Sequence, residues 1–126
     1  MTTNPLYPIF LKTKELQIVV VGGGYVALEK LTFLFKSSPS SKVTLISPMI
    51  RKETRSFIKG KPVVYIEDEY KMSYLTGAHM AIATTDKSEV NKQVFHDCRS
   101  QSILVNVADN PPLCDFYMGS IVTKGN

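Results

Sequence analysis

The chain has 126 residues, 44% of them hydrophobic and 21% charged, with a net charge of +4. That length accommodates one domain around a single hydrophobic core and excludes two. The charge excess is small and scattered, with no basic stretch interleaved with stacking aromatics, which argues against a nucleic-acid partner and fits an anionic small ligand.

The elements alternate along the chain. Gln17 to Val21 (QIVVV) is rich in β-branched residues and runs into three glycines, the pattern of a buried first strand. Tyr25 to Lys36 follows as a helix, with Ala27, Leu31 and Leu34 on one stripe beside Leu28 and Phe35. Ser37 to Ser41, containing Pro39, breaks it. Lys42 to Ser47 is a second strand, stopped by Pro48, and Arg51 to Lys59 is a short polar helix ending before Gly60 and Pro62. Val63 to Ile66 is a third strand, and Tyr74 and Leu75 sit in a short connecting helix or turn. Met80 to Ala83 is a fourth strand. A helix from Ser88 to Ser100 then presents Val90, Val94, Phe95 and Cys98 on one face, and Ile103 to Val107 is a fifth strand. Phe116 to Thr123 reads as a last short strand. Repeated βα alternation predicts an α/β fold of the Rossmann type, a doubly wound parallel sheet with helices on both faces.

The strongest chemical signal is Gly22-Gly23-Gly24-Tyr25-Val26-Ala27, which fits G-x-G-x-x-G/A between a strand and a helix. Gly22 permits the tight turn, Gly24 lets the backbone approach a pyrophosphate, and Ala27 allows close helix–strand packing. The free N–H groups of Tyr25 and Val26 then face phosphate oxygens, assisted by the helix dipole. The acid expected at the end of the second strand is missing, and Ser47-Pro48-Met49 stands there instead. Ser47 can still bond a ribose hydroxyl, whereas Arg51 and Lys52 are placed to tolerate a 2′-phosphate, so the residues alone leave NAD and NADP open. Thr84, Thr85 and Asp86 close the fourth strand, next to where a nicotinamide ribose lies. Asp86 has an equal alternative as the N-cap of the next helix, with Glu89 completing a capping box.

Pro8-Ile9-Phe10-Leu11, the glycine turn, Ala83-Thr84-Thr85-Asp86 with Val90-Asn91, Asn106-Val107-Ala108-Asp109, and Phe116-Tyr117-Met118-Gly119-Ser120-Ile121 occur in one order and spacing. Together they resemble the precorrin-2 dehydrogenase / sirohydrochlorin ferrochelatase family, the N-terminal module of siroheme synthase. The resemblance implies an enzyme that oxidises precorrin-2 to sirohydrochlorin with NAD as cofactor, and that then inserts Fe²⁺, held chiefly by the macrocycle. It also implies that Asp109 is the catalytic residue of both steps. From the residues alone, Asp109-Asn110-Pro111-Pro112 reads first as a turn sequence in which the aspartate caps the backbone, and only the resemblance reverses that preference.

The cofactor residues expected on this reading are Gly22, Gly23, Gly24, Tyr25, Val26, Ser47, Pro48, Met49, Thr84, Thr85 and Asp86, with no protein metal ligands. Lys30 and the cluster Arg51, Lys52 and Arg55 read as solvated faces, or as attraction for substrate carboxylates, and the run Glu67-Asp68-Glu69 opposes a uniformly positive cleft. Asn91 reads as a tie between helix and loop. Cys98 reads as core, and His79 and His96 as ordinary residues. On this reading residues 1–110 are expected to form the NAD(P)-binding domain, and 111–126 to be the start of a dimerisation and substrate segment that the resemblance implies is truncated. Family members continue further, and they commonly carry Pro where Gly119 stands. The partners expected are the tetrapyrroles and a second copy of the chain, with neither nucleic acid nor membrane. Two cysteines outside any CxxC pair, no signal-peptide pattern and no ~20-residue apolar run point to a reduced, cytoplasmic protein. The alternative reading is an NAD(P)-binding regulatory or sensor module without catalysis.

Overall fold

The computed structural model describes residues 5–118. Within them, β1 (Gln17–Val21), β2 (Lys42–Ser47), β3 (Val63–Glu67), β4 (Met80–Ala83) and β5 (Leu104–Val107) form one sheet in the order β3-β2-β1-β4-β5. All pairings are parallel. The long helices are α1 (Tyr25–Ser37) and α3 (Ser88–Ser100), with the shorter α2 (Lys52–Ile58) between β2 and β3. The fold is the doubly wound α/β type that the alternation predicts.

The inner strands are apolar at consecutive positions because both sheet faces are covered. Val19, Val21, Ile46, Ala81, Ala83, Val105 and Val107 form one core with Val94 and Cys98 of α3 and Leu75. The alternate residues Ile18, Val20, Val43, Leu45, Met80 and Ile82 form the other core with Ala27, Leu31 and Phe35 of α1. The deepest α1 positions fall at a spacing of four, so Phe35 rather than Leu34 completes the buried stripe. Burial also pushes the Cys98 thiol pKa up to about 12, helped by the neighbouring Asp97, which marks it as a core residue and not a reactive thiolate.

Two predicted edges shift, each for a local reason. Ile103 is buried, but its N–H donates to Cys98 O at 2.9 Å, closing the end of α3 and leaving β5 to begin at Leu104. The strand expected from Phe116 is absent over 116–118, and the remainder of that expectation lies outside the described residues. Asp115 takes its place on the open edge of β5. Its N–H donates to Val105 O at 2.7 Å, and its carboxylate accepts the Val105 N–H at 2.9 Å. One residue therefore satisfies both outward groups of Val105, which an added strand would otherwise bond.

The same carboxylate accepts two hydrogen bonds from Arg99 at 2.8 and 2.5 Å, locking the tail to α3. The Arg99 guanidinium holds the Asp115 carboxyl below the usual carboxylate range against the opposing effect of burial, with the Val105 N–H assisting. Its folded-state pKa thus lies below the unfolded value, so its stabilisation is full above the ordinary carboxylate pKa and is lost as pH falls through the folded value. Asp115→Ala is expected to cost about 1–2 kcal/mol at neutral pH, given the exposure of Arg99. Urea denaturation should show the difference from the parent shrinking in acid; a difference independent of pH would contradict the assignment.

Candidate functional site

The candidate site lies at the carboxyl edge of the sheet, where the winding reverses. The chain proceeds outward from β1 through β2 to β3, then returns to the other side of β1 for β4 and β5. Such a switch point leaves a crevice outside the strand ends. Register aligns those ends: Val21 pairs with Ile46 and Ala83, and Ala83 pairs with Val107. The loops at Gly22, Ser47, Thr84 and Ala108 therefore open on one edge.

The three glycines of the first loop have different reasons to be glycine. Gly22 has φ +128°, and a Cβ there would stand 2.2 Å from Thr84 Oγ1. At Gly23 a Cβ would meet Met49 O at 2.2 Å and Ser47 Oγ at 2.8 Å. Both are required by the protein's own packing. Gly24 is not. Its φ is −92°, open to any residue, and nothing lies within 4 Å of the position a Cβ would occupy. Neither backbone nor packing demands glycine there, and a polar cap would serve the helix better. A bare backbone at the start of α1 suits close approach by a ligand.

Gly24 caps α1 without a side-chain hydrogen bond, and the first turn carries no acidic residue. The amides of Tyr25, Val26 and Ala27 thus have no intrahelical acceptors, and the first turn itself brings no carboxylate to the positive end of the dipole. These features fit the pyrophosphate of a dinucleotide, with Tyr25 and Val26 as the donors nearest the turn.

At the end of β2, Ser47 is buried, and its hydroxyl donates to Met49 O at 2.7 Å. Pro48 and Met49 are exposed beside it. Arg51 donates its N–H to Gly23 O at 3.2 Å, and its guanidinium carbon lies 3.5 Å from the centroid of the Tyr25 ring. This stack joins residues from two loops and has no signature in sequence spacing.

At the end of β4, Thr84 is buried, and its hydroxyl donates to Val21 O at 2.9 Å, so the side chain serves the turn. Thr85 and Asn91 bond reciprocally. Thr85 N–H donates to Asn91 Oδ1 at 3.1 Å, Asn91 Nδ2 donates to Thr85 O at 3.0 Å, and the Thr85 hydroxyl meets Asn91 Oδ1 at 2.7 Å. Asn91 is thus a tie between helix and loop. The expected capping box is not formed: Lys87, not Asp86, precedes α3, and no side chain caps it. The Thr85 hydroxyl instead accepts the Lys87 N–H at 3.2 Å, which turns the loop and leaves Asp86 exposed.

Asp109 follows β5 in a turn closed by Asn110 N–H on Val107 O at 3.1 Å. Its φ is +60°, a left-handed conformation that Asp tolerates better than most residues. The turn reading is correct for the backbone, yet among the described residues the carboxylate carries no hydrogen bond and is not spent as a cap. Asp109, Lys30, Asn106 and Cys114 border a shallow hollow of about 130 Å³. Asn106 is buried, donates Nδ2 to Phe116 O at 2.9 Å, and has no partner for Oδ1 among the described residues. Its sequence signals are its place in the Asn106-Val107-Ala108-Asp109 motif and its polarity inside an otherwise apolar strand. A larger hollow of about 400 Å³ lies at the opposite end, between residues 11–15 and 38–41, remote from every strand carboxyl end. Size alone does not locate this site.

His79 Nδ1 accepts the Gln17 N–H at 2.8 Å, an ordinary structural contact at the start of β1. Among the described residues, no group of three His, Cys, Asp or Glu is placed to hold a metal, and no helix is long and apolar enough to cross a membrane.

A Rossmann-type sheet with this glycine turn at its switch point defines a dinucleotide-binding class of protein. Residues 9–120 match the family described as "Putative NAD(P)-binding", and the chain belongs to that family. It is 36% identical over 118 residues to a siroheme synthase of Psychrobacter sp. (strain PRwf-1), and 37% identical over 118 residues to one of Pseudoalteromonas atlantica. Each alignment covers 94% of this chain but only 24% and 25% of the relative, so the chain spans about a quarter of their length. Among solved structures, the fold is similar to "SirC, precorrin-2 dehydrogenase", with a TM-score of 0.68 at 21% identity, over 93% of this chain and 54% of that one. A wide-type short-chain dehydrogenase/reductase from Veillonella parvula in complex with NADP gives a TM-score of 0.54 at 16% identity, over 73% of this chain and 45% of that one.

The glycines separate fold from binding. Gly22→Ala is expected to cost more than about 2 kcal/mol of stability through strain and collision with Thr84. Gly24→Ala should cost less than about 1 kcal/mol while weakening nicotinamide dinucleotide binding by about tenfold or more. Thermal unfolding alongside a fluorescence titration with NADH and NADPH measures both. Tight binding by Gly24→Ala would remove the pyrophosphate from this turn.

Proposed function

We propose that this chain is the dinucleotide-binding part of an enzyme of siroheme biosynthesis, oxidising precorrin-2 to sirohydrochlorin, with insertion of Fe²⁺ as a second reaction at the same place. The observation that carries the reading is the carboxylate of Asp109, without a partner among the described residues, on the same sheet edge as the glycine turn. One strand, β4, separates β5 from β1, so the two loops stand about 10 Å apart laterally. The siroheme synthases it resembles, and the ordered motifs ending in Asn106-Val107-Ala108-Asp109, support the substrate class.

Gly22 and Gly23 would hold the turn, Gly24, Tyr25 and Val26 would receive the pyrophosphate, and the backbone at Thr84, Thr85 and Asp86 would border the nicotinamide half. Ser47, Pro48 and Met49 would border the adenosine half. The bound nicotinamide supplies the hydride acceptor, which the resemblance implies to be that of NAD. Precorrin-2 gives up a hydride and a proton in becoming sirohydrochlorin, and Asp109 takes the proton. In the second reaction Fe²⁺ replaces two pyrrole protons, and the same carboxylate would take them one at a time, passing each to solvent. Lys30, which lines the same hollow as Asp109, would offer a cation to substrate carboxylates. The reading includes a cytoplasmic homodimer formed through residues after Leu113.

Asp109→Asn tests the assignment, because Asn tolerates φ +60° and keeps the shape while losing the base. Formation of sirohydrochlorin, followed by its absorbance with precorrin-2 and NAD⁺ or NADP⁺, should fall about 10²–10⁴-fold, with thermal unfolding unchanged. Undiminished turnover by the folded variant would refute the catalytic role. Fe²⁺ added to sirohydrochlorin without dinucleotide tests the second reaction separately.

A further inference from the structure

The second strand of a dinucleotide-binding unit ends beside the adenosine ribose, and the side chains there discriminate between a 2′-hydroxyl and a 2′-phosphate. A carboxylate accepts a hydrogen bond from the hydroxyl and repels the phosphate, whereas a guanidinium binds the phosphate with charge-assisted hydrogen bonds. Here β2 ends in Ser47-Pro48-Met49, with no carboxylate. The Ser47 hydroxyl is committed as a donor to Met49 O at 2.7 Å.

Arg51 is the first charged residue after β2, and it is held against the glycine turn itself. Its main-chain N–H bonds Gly23 O at 3.2 Å, and its guanidinium carbon lies 3.5 Å from the ring centroid of Tyr25, the first residue of α1. An aromatic platform fixes a guanidinium while keeping its N–H edge for anions. Arg51 Nε is buried without a hydrogen-bond partner among the described residues. Glu53 Oε1 stands 3.5 Å from it, an ion pair too long for a hydrogen bond in this geometry, and the Glu53 side chain is 56% exposed. The amides that would receive the pyrophosphate and the cation that would receive a second phosphate are therefore joined through Tyr25.

We infer that the adenosine end of this site takes a 2′-phosphate, and that Arg51, held over Tyr25, makes the chain prefer NADP(H) to NAD(H). This rests on the dinucleotide reading of the glycine turn, and it departs from the NAD that the family resemblance implies. The residue that argues the other way is Glu67, exposed and in register with Ser47 on β3. It lies a further strand away, about 4.8 Å outward, whereas the Arg51 main chain is bonded to the turn and its guanidinium is stacked on Tyr25.

Calorimetric titration of the chain with NADP⁺ and NAD⁺, and with adenosine 2′,5′-bisphosphate and 5′-AMP, tests the inference without turnover. The 2′-phosphorylated member of each pair should bind about 10- to 100-fold more tightly. Arg51→Ala should remove most of that ratio, weakening NADP⁺ far more than NAD⁺, and Arg51→Lys should retain part of it. Tyr25→Leu should lower the ratio by loosening the guanidinium, and thermal unfolding checks that each variant folds. Equal or tighter binding of NAD⁺ by the parent, or a ratio that survives Arg51→Ala, overturns the inference and leaves the dinucleotide site intact. Loss of NAD⁺ affinity in Glu67→Gln, with Arg51→Ala silent, assigns the ribose to the carboxylate and also overturns it. Binding of neither dinucleotide overturns the cofactor reading itself, a result distinct from equal binding of both.

Discussion

The close approach of the first loop to its two neighbours is the contact on which the rest of the edge depends. Gly22 lies where any side chain would strike Thr84, and Gly23 lies where any side chain would strike the carbonyl of Met49. Between them they clamp the end of β1 to the loops after β4 and β2. The Gly22 N–H on Ile46 O and the Thr84 N–H on Val21 O extend the sheet hydrogen bonding into that clamp. Because the chain leaves the clamp directly into α1, the helix dipole is aimed along the crevice. What remains unoccupied by the protein is the surface of Gly24 and the first amides of the helix, which is what an anion requires.

Clamping also divides the edge chemically. On the β2 side stand the stacked pair Tyr25 and Arg51 and a committed serine. On the β4 and β5 side stand the Thr85–Asn91 tie, the Asp109 carboxylate, which has no partner among the described residues, and Lys30 lining the same hollow. A nucleotide and a reacting group placed across one switch point would meet different fields at their two ends. The acidic run after β3 sits on the outer flank, and Asp68 there is occupied by Lys71 at 3.1 Å and by Tyr74. The mild net charge of the whole chain says little about this local separation.

Much of this was legible along the chain. The bounds of β2, β4 and α3 follow from apolar runs cut by Pro48, by Thr84-Thr85 and by the polar residues after Ser100, signals that are local and therefore survive without coordinates. The elements misread are those decided by contacts distant in sequence. Ile103 looks like strand but closes α3. Asp86 and Glu89 have capping-box spacing, yet Thr85 is already bound by Asn91 and turns the loop differently. Phe116 opens an apolar run, yet Asp115 has satisfied the edge of β5 with its own backbone and carboxylate.

By itself, the sequence determined the parallel sheet and the position of the glycine turn, because hydrophobic period and glycine content are properties of neighbouring residues, whereas the candidacy of Asp109 came from the family resemblance of its motif. Tertiary structure decided which glycine is spare, since only packing shows that Gly22 and Gly23 are needed by the protein and Gly24 is not. It decided that, among the described residues, the Asp109 turn leaves its carboxylate uncommitted, and that Arg51 stacks on a tyrosine 26 positions earlier in the chain. Contacts of that kind depend on where strands place their ends in space, and no spacing rule along the chain encodes it.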